Sequence, residues 1–434
     1  MLASLSVAER EKIIHSLSSK EAQALFYDWQ FWARPDQLPP EGDWFGWLLR
    51  SGRGAGKTRT GAEWVIDRAK QDNHPPIAII GQTKADARDT MIELGESSIL
   101  KISPPWFMPH YESSKRRLTW PNDVVATVFS GDEPDQLRGP QHGAAWIDEL
   151  AKMRYPQETW DNMEMGLRTG DKPQVVVTTT PRPIPIIKQL IDDPEIVDRV
   201  VSTYANIGNL SPSFIKRIIK RYEGTRLGRQ ELHGQLMEDD PRALWSRDLL
   251  EKTRVNKSPE LHRIVVSIDP PASSGQCGII IVGIGVDGNG TTHGYTLEDA
   301  STPEGVKPSA WGNAAVAAYH KWGADLIVGE VNNGGDMIES IIRNVPDGRN
   351  VPYKSVRATR GKHTRAEPVS NLFEQGRAHH IGHFADLEDQ LCTWVPGDDS
   401  PDRLDAEVWA YTELMLDEIR ELQSAPSPLG GYRG

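Results

Sequence analysis

The octapeptide SGRGAGKT at positions 51–58 constrains this chain more than any other stretch. It follows the apolar run FGWLL (45–49) and leads into TRTGAEWV (58–65), so it reads as a glycine loop between a buried strand and a helix. Glycines let consecutive backbone N–H groups wrap around phosphate oxygens, and the helix N-terminus behind them favours negative charge. In that setting Ser51, Gly52, Arg53, Gly54, Ala55 and Gly56 form the cradle. Lys57 is placed to reach the β- and γ-phosphates of a nucleoside triphosphate, and the Thr58 hydroxyl to hold magnesium. Ser51 stands where the usual pattern has its first glycine.

The apolar runs around the loop predict the sheet that carries it. IAII (77–80), AAWID (144–148) and QVVVTTT (174–180) are continuous rather than alternating, as strands covered on both faces are, and helical patterns separate them. RLTW and VVATVFS flank PND (121–123) and read as an inserted hairpin. The run ending at Asp148 and Glu149 suits a second magnesium contact through Asp148 and activation of the attacking water by Glu149. Arg53 and Arg138 compete as the cation that stabilises charge on the transferring phosphoryl group. TTTP (178–181) ends the next strand, where its hydroxyls could sense hydrolysis.

A chain of 434 residues exceeds one ordinary core. The pattern indeed restarts at His262: RIVVSID (263–269), GIIIVGIG (278–285) and TTHGYTL (291–297) are strands, with DGNG (287–290) a hairpin turn between the last two. A helix over 308–322 leads into DLIVGE (325–330), and the end is helical from about 402 to 422. The predicted division is a helical lead-in at 1–42, an α/β domain at 43–205, a polar and basic helical linking subdomain at 206–258, a second α/β domain at 259–422 and a disordered tail at 423–434. No apolar run approaches the ~18 residues that cross a bilayer, which excludes a membrane role. Cys277 and Cys392 lie too far apart to suggest zinc or a disulfide framework. The formal charge of −12 excludes uniform coating of nucleic acid, though not a local basic channel. Two basic stretches qualify as DNA contacts or solvated faces: Lys115 to Arg117, and Lys216, Arg217, Lys220, Arg221, Arg226 and Arg229.

In the second half Asp269 and Glu330 end strands, and Asp402 and Asp405 lie one helical turn apart. Carboxylates delivered from strand ends and a late helix can hold two divalent metals about 3.5–4 Å apart, an arrangement that stabilises both oxygens of a phosphodiester cleavage. Oxygen-only coordination suits magnesium or manganese, so His379, His380 and His383 read as surface or packing residues.

Taken in order, ARPDQLPP (33–40), WLLRSGRGAGKTRTGAEWV (47–65), DQLRGPQH (135–142), AWIDELA (145–151), TTTPRP (178–183), GTRLGRQEL (224–232), VSIDPP (266–271), VGEVNNGGDM (328–337), RAEPV (365–369) and SPDRLDAEVWA (400–410) resemble the large terminase subunit of tailed bacteriophages and related gene-transfer particles. The resemblance implies a P-loop NTPase parallel-sheet domain, a small helical linking subdomain and a ribonuclease H-like α/β nuclease domain. It implies a DNA-packaging motor that hydrolyses ATP with Mg²⁺ and cuts concatemeric double-stranded DNA with two Mg²⁺ or Mn²⁺. Gln37 would read adenine, ahead of Gln30, and Asp269, Glu330 and Asp402 would bind metal, with Asp405 a close fourth. Where relatives often carry an extra acid after the first, this chain reads SSGQCG (273–278), so no further ligand is expected there. The implied partners are the portal protein, the small terminase subunit and further copies in a pentameric ring. The implied setting is the host cytoplasm and, transiently, the procapsid, outside the mature virion. The rival readings are a repair or helicase-type ATPase that only grips DNA, and an inactive prophage assembly scaffold.

Overall fold

The computed structural model describes residues 16–71, 75–216, 226–237, 239–270, 276–330, 337–357 and 362–416. Expectations for the first fifteen residues, for Arg217, Lys220 and Arg221, and for the tail at 423–434 lie outside them, as do residues 273–275 of the SSGQCG loop. The chain divides into two compact units, Met1–Met237 and Glu238–Gly434, and the division falls inside the 206–258 stretch. Among the described residues, no helix is long and apolar enough to cross a membrane.

In the first unit, Ser18 and Glu21 close a reciprocal cap that starts the helix Ser19–Phe26. Eight strands follow among the described residues: β1 (Gly46–Ser51), β2 (Ile77–Gly81), β3 (His110–Glu112), β4 (Arg117–Thr119), β5 (Val125–Ser130), β6 (Ala144–Asp148), β7 (Gln174–Thr179) and β8 (Ile196–Val201). They form one sheet in the order β3-β4-β5-β2-β6-β7-β1-β8. The pairings from β5 to β8 are parallel, while β3, β4 and β5 pair antiparallel. The expected hairpin is thus β4–β5, with Leu118 opposite Ala126 and Asp123 in the left-handed region (φ 65°) at its turn.

Continuous apolar strands are explained by what covers them. Along each strand alternate side chains point to opposite faces. Trp47, Leu49, Ile77, Ile79 and Trp146 enter one buried cluster, and Leu48, Ala78, Ile80 and Ile147 enter another. The helix Lys57–Ala69 supplies Trp64, Val65 and Ile66 to the first cluster, and Pro156–Gly166 and Pro185–Asp192 supply Trp160 and Ile187 to the second. Burying each such large side chain contributes roughly 1.5–3 kcal/mol.

Among the described residues, the second unit has six strands: β9 (Leu261–Asp269), β10 (Gly278–Val286), β11 (Thr292–Asp299), β12 (Leu326–Glu330), β13 (Tyr353–Val356) and β14 (Ala378–His380). Their order is β13-β12-β9-β10-β11-β14. β9, β10 and β11 form an antiparallel meander, while β12 runs parallel to β9 and to β13, and β14 runs parallel to β11. Both faces are again buried: Val265, Ile280 and Val328 belong to one cluster, and Val266, Ile279 and Ile327 to the other. The helices Lys362–Glu374, Ala385–Thr393 and Asp402–Tyr411 cover the first face, and Pro308–Trp322 and Met337–Asn344 cover the second. A Cβ on Gly278 would collide with the Asp402 carbonyl oxygen, so glycine here is what lets the Asp402–Tyr411 helix begin directly against β10.

Candidate nucleotide and metal sites

At the end of β1 the chain turns through the glycine loop, and Gly56 (φ 98°) adopts the left-handed conformation that starts the helix Lys57–Ala69. The loop is gripped from outside the sheet through its own carbonyls. Thr203 donates to Arg53 O (2.8 Å), Asn206 Nδ2 to Gly54 O (2.8 Å) and Arg34 Nη2 to Ala55 O (2.8 Å). The N–H groups of Gly52 and Arg53 are also engaged, with Val201 O (3.0 Å) and Glu231 O (2.6 Å), and that of Ala55 with Gly52 O (3.3 Å), so the phosphate cradle falls to Gly54 and to Gly56, Lys57 and Thr58 at the helix start. No local pattern marked Thr203 or Asn206, which lie about 150 residues downstream of the loop.

Lys57 Nζ sits 2.9 Å from Thr180 Oγ1 and 3.2 Å from Glu149 Oε1. Thr58 Oγ1 is 3.5 Å from Asp148 Oδ2. Neighbouring parallel strands β6 and β7 end together here, with Asp148 opposite Thr178. Thr178 donates to Asp148 Oδ1 at 2.6 Å and accepts from Trp146 Nε1 at 2.9 Å. Glu149 has φ 56°, a conformation that is uncommon for a residue with a Cβ. It is held by its own N–H bond to Thr178 O (2.6 Å) and by the Thr180 N–H bond to its Oε2 (3.1 Å).

The two carboxylates are driven apart in acidity. Burial, then the adjacent Glu149 charge, pushes the Asp148 carboxyl up to about 6. Desolvation also acts upward on Glu149, but Lys57, Lys152 and the Thr180 N–H outweigh it and bring this carboxyl down to about 2. Lys152, 3.7 Å from Glu149, is a further residue that the sequence did not single out.

Gln37 is buried and reaches Thr60 Oγ1 (3.2 Å) and Gly56 O (3.5 Å). Gln37 and Gln30 both line a cavity of about 300 Å³, together with Trp29, Thr60, Glu63 and Trp64. Arg53 has 63% of its side chain exposed and lies 3.4 Å from Glu231. Arg138, 68% exposed, pairs with Asp135 (3.3 Å) and Asn162 (3.1 Å). Among the described contacts, neither arginine touches Lys57, Asp148 or Glu149. Lys115 pairs with Glu112 (2.7 Å), and Arg116 lines a separate cavity with Lys84, Arg88 and Tyr111.

In the second unit, the parallel register that sets Gly329 opposite Ile268 brings the ends of β12 and β9 side by side, and with them Glu330 and Asp269. The Asp402–Tyr411 helix adds Asp405, and one carboxylate oxygen from each of these three acids lies within 4.8 Å of the others. Among the described residues, no other three potential ligands converge in this way, and Asp402 is outside the group. Residues three apart on a helix diverge by about 60°. That rotation carries Asp402 toward Cys277, whose buried thiol is raised by desolvation and then by the Asp269 and Asp402 charges. Asp405 accepts a hydrogen bond from Ser400 Oγ, and Trp409, one turn further on, donates from Nε1 to Glu330 Oε2 at 2.7 Å. Arg365 Nη1 lies 3.2 Å from Glu330 Oε1. Helical spacing from Asp405 could have pointed to Trp409; nothing in the pattern marked Arg365 or Ser400.

Three close, half-buried to buried carboxylates with no nitrogen or sulfur donor fit a hard divalent cation such as magnesium or manganese. The histidines are used elsewhere. His380 is fully buried between Glu388 (3.0 Å) and Glu407 (2.9 Å), and His379 stacks on His293 and Tyr295.

Two family models match the chain. Residues 48–252 match the terminase large subunit, T4likevirus-type, N-terminal, and residues 266–414 match the terminase RNaseH-like domain. No curated protein sequence matches. Similar solved structures include the large terminase of a thermophilic bacteriophage in complex with ADP: 14% identity, 92% of this chain and all of that one covered, TM-score 0.43. The HK97 bacteriophage large terminase shows 15% identity over 91% of this chain and 94% of that one, TM-score 0.37. The large terminase nuclease of thermophilic phage G20c with bound cobalt shows 13% identity over 40% of this chain and 98% of that one, TM-score 0.30.

Proposed function

The chain belongs to the terminase large-subunit family, DNA-packaging motors that combine an ATPase with a ribonuclease H-like nuclease, and on that premise we propose which of its residues run each reaction. Neither a repair or helicase-type ATPase nor an inactive scaffold is favoured by that membership.

In the first unit, the loop 51–58 binds the triphosphate through the N–H groups of Gly54, Gly56, Lys57 and Thr58, and Lys57 moves from Glu149 to the β- and γ-phosphate oxygens when ATP enters. Thr58 and Asp148 would hold magnesium, which when bound would neutralise charge on the phosphate oxygens. With Lys57 withdrawn, Glu149 loses the main partner that keeps it so acidic, and it accepts the proton of the attacking water. Thr178 keeps Asp148 aimed and Thr180 is released as Lys57 leaves, so β7 registers the γ-phosphate. Gln37 reads adenine, with Gln30 beside it. Arg53 and Arg138 remain the two candidates for the cation at the transferring phosphoryl group, and their exposure suits a role completed by a neighbouring subunit.

In the second unit, Asp269, Glu330 and Asp405 hold the divalent metal, and Asp402 flanks them. Metal there supplies Lewis acidity for phosphodiester hydrolysis. We assign residues 43–205 to the ATPase and 259–422 to the nuclease, joined by 206–258. The partners are double-stranded DNA, the portal protein and the small subunit, with copies of this chain forming a pentameric ring on the procapsid in the host cytoplasm.

The observation that carries this reading is the convergence of Lys57, Thr58, Asp148 and Glu149 from the glycine loop and β6. ATP turnover by purified protein should be lost in Lys57→Ala, and metal-dependent plasmid cleavage should be lost in Asp269→Ala. Retained cleavage in the second variant would remove the nuclease assignment.

A further inference from the structure

The guanidinium of Arg365, at the start of the Lys362–Glu374 helix, is an incomplete arrangement beside the acid group. Its side chain is 9% exposed. It lies over the Trp409 ring, 4.5 Å from the centroid, and Trp409 in turn donates to Glu330. Of its donors, Nη1 meets Glu330, while Nε and Nη2 are buried and have no hydrogen-bond partner among the described residues. A buried charged group with unpaired donors is costly unless something else completes it.

The identity of the two open atoms is informative. Nε and Nη2 form one edge of the guanidinium, the fork that binds two oxygens of a carboxylate or phosphate in parallel. The remaining nitrogen already touches a member of the metal-binding group. The open edge therefore lies within one guanidinium of the place where a scissile phosphate would sit against metal.

We propose that Arg365 is the phosphate-contacting residue of the nuclease centre, parked on Glu330 until divalent metal takes that carboxylate. The inference rests on the acid group being the cleavage centre. Divalent metal held by Glu330 would repel the guanidinium and compete with it for that carboxylate, and the Arg365 side chain would then be free to leave its solvent-shielded position. Its Nε–Nη2 edge then binds non-bridging oxygens of the phosphodiester. In hydrolysis a water oxygen bonds to phosphorus as it loses a proton, one P–O ester bond breaks, and the departing oxygen gains a proton. Negative charge gathers on the non-bridging oxygens along the way, and a fixed guanidinium stabilises it.

The test combines Mn²⁺ binding by calorimetry without DNA and cleavage of a fluorescent duplex by full-length protein. Arg365→Gln should bind Mn²⁺ as tightly as wild type or several-fold tighter, yet cleave about 100-fold more slowly, in kcat rather than KM. Replacing the scissile phosphate by a methylphosphonate removes the charge that the arginine meets. It should slow wild type strongly and slow the variant little further. Arg365→Lys keeps the charge facing Glu330 should the glutamine variant fail to fold, and it should lose about tenfold because it lacks the fork. Cleavage by Arg365→Gln or Arg365→Lys within threefold of wild type overturns the inference, as does an equal methylphosphonate effect in variant and wild type. Asp269→Asn separates the two readings. If it still cleaves, the acid group and the arginine fall together; if it is dead while Arg365→Gln is normal, only the arginine falls.

Discussion

Lys57 and Glu149 form an ion pair at 3.2 Å that joins the phosphate loop to the end of β6. The same lysine is the group that triphosphate needs, so the pair and the bound nucleotide exclude each other. Glu149→Gln should therefore keep or improve binding of a fluorescent ATP analogue while lowering steady-state turnover by about 10²–10⁴-fold. Turnover within tenfold of wild type would remove Glu149 as the proton acceptor.

Asp148 depends on a hydroxyl that is remote in sequence but adjacent in the sheet. Thr178 is its 2.6 Å donor, and Trp146 fixes the orientation of that hydroxyl. Thr178→Val deletes the donor, and with it an interaction that lowers the Asp148 pKa against burial. Loss of a supporting hydrogen bond of this kind costs about 10–100-fold in metal affinity. The Mg²⁺ concentration for half-maximal ATPase should rise by that factor, and the activity should need a higher pH, since Asp148 must be ionised to hold metal. An unchanged Mg²⁺ dependence would assign Thr178 to packing.

The parts read from sequence are those with strong local signals. The glycine loop, the long buried strands and both hairpins need only a continuous or period-2 apolar pattern and turn residues, and each appears at its expected place. Short edge strands gave no such signal: β8 (IVDRVV) and β14 (AHH) carry polar residues and owe their strand form to pairing with β1 and β11. The same limit governs the sites. Lys57, Asp148 and Glu149 sit on segments whose type reveals their role, whereas Thr203, Asn206 and Arg365 act through contacts made only by the folded chain.

Two buried histidines should give the units opposite responses to pH. Burial acts against the charge of His380, but Glu407 and Glu388 outweigh it and raise the imidazole to about 9. Its contribution is fully present below about 6.5 and is lost as pH rises through 9, a displacement worth roughly 3 kcal/mol. Burial alone depresses His142 to about 4. The native state there binds fewer protons than the unfolded chain, so stability is present above about 6.5 and is lost as pH falls toward 4. Calorimetric unfolding at pH 5, 7 and 9 should show His380→Gln flattening the alkaline loss and His142→Gln flattening the acid loss. Identical profiles for wild type and variants would contradict both assignments.

Asp402 and Asp405 offer the sharpest discrimination, because they share a helix and differ by one turn. Only Asp405 brings an oxygen within 4.8 Å of Asp269 and Glu330. Its carboxylate is buried and held by Ser400, whereas Asp402 begins the helix with its carbonyl set against Gly278. Asp405→Asn keeps the shape and removes the charge that a dication needs, so Mn²⁺ affinity should weaken at least tenfold and cleavage should disappear into background. Asp402→Asn leaves the three-acid group intact and should bind Mn²⁺ within about threefold of wild type, a change below what loss of even a supporting partner costs. Calorimetry with Mn²⁺ and cleavage of a fluorescent duplex, run on both variants, separate the two residues. The reverse order of effects would make Asp402 the ligand and require the first turn of the helix to rotate when metal binds.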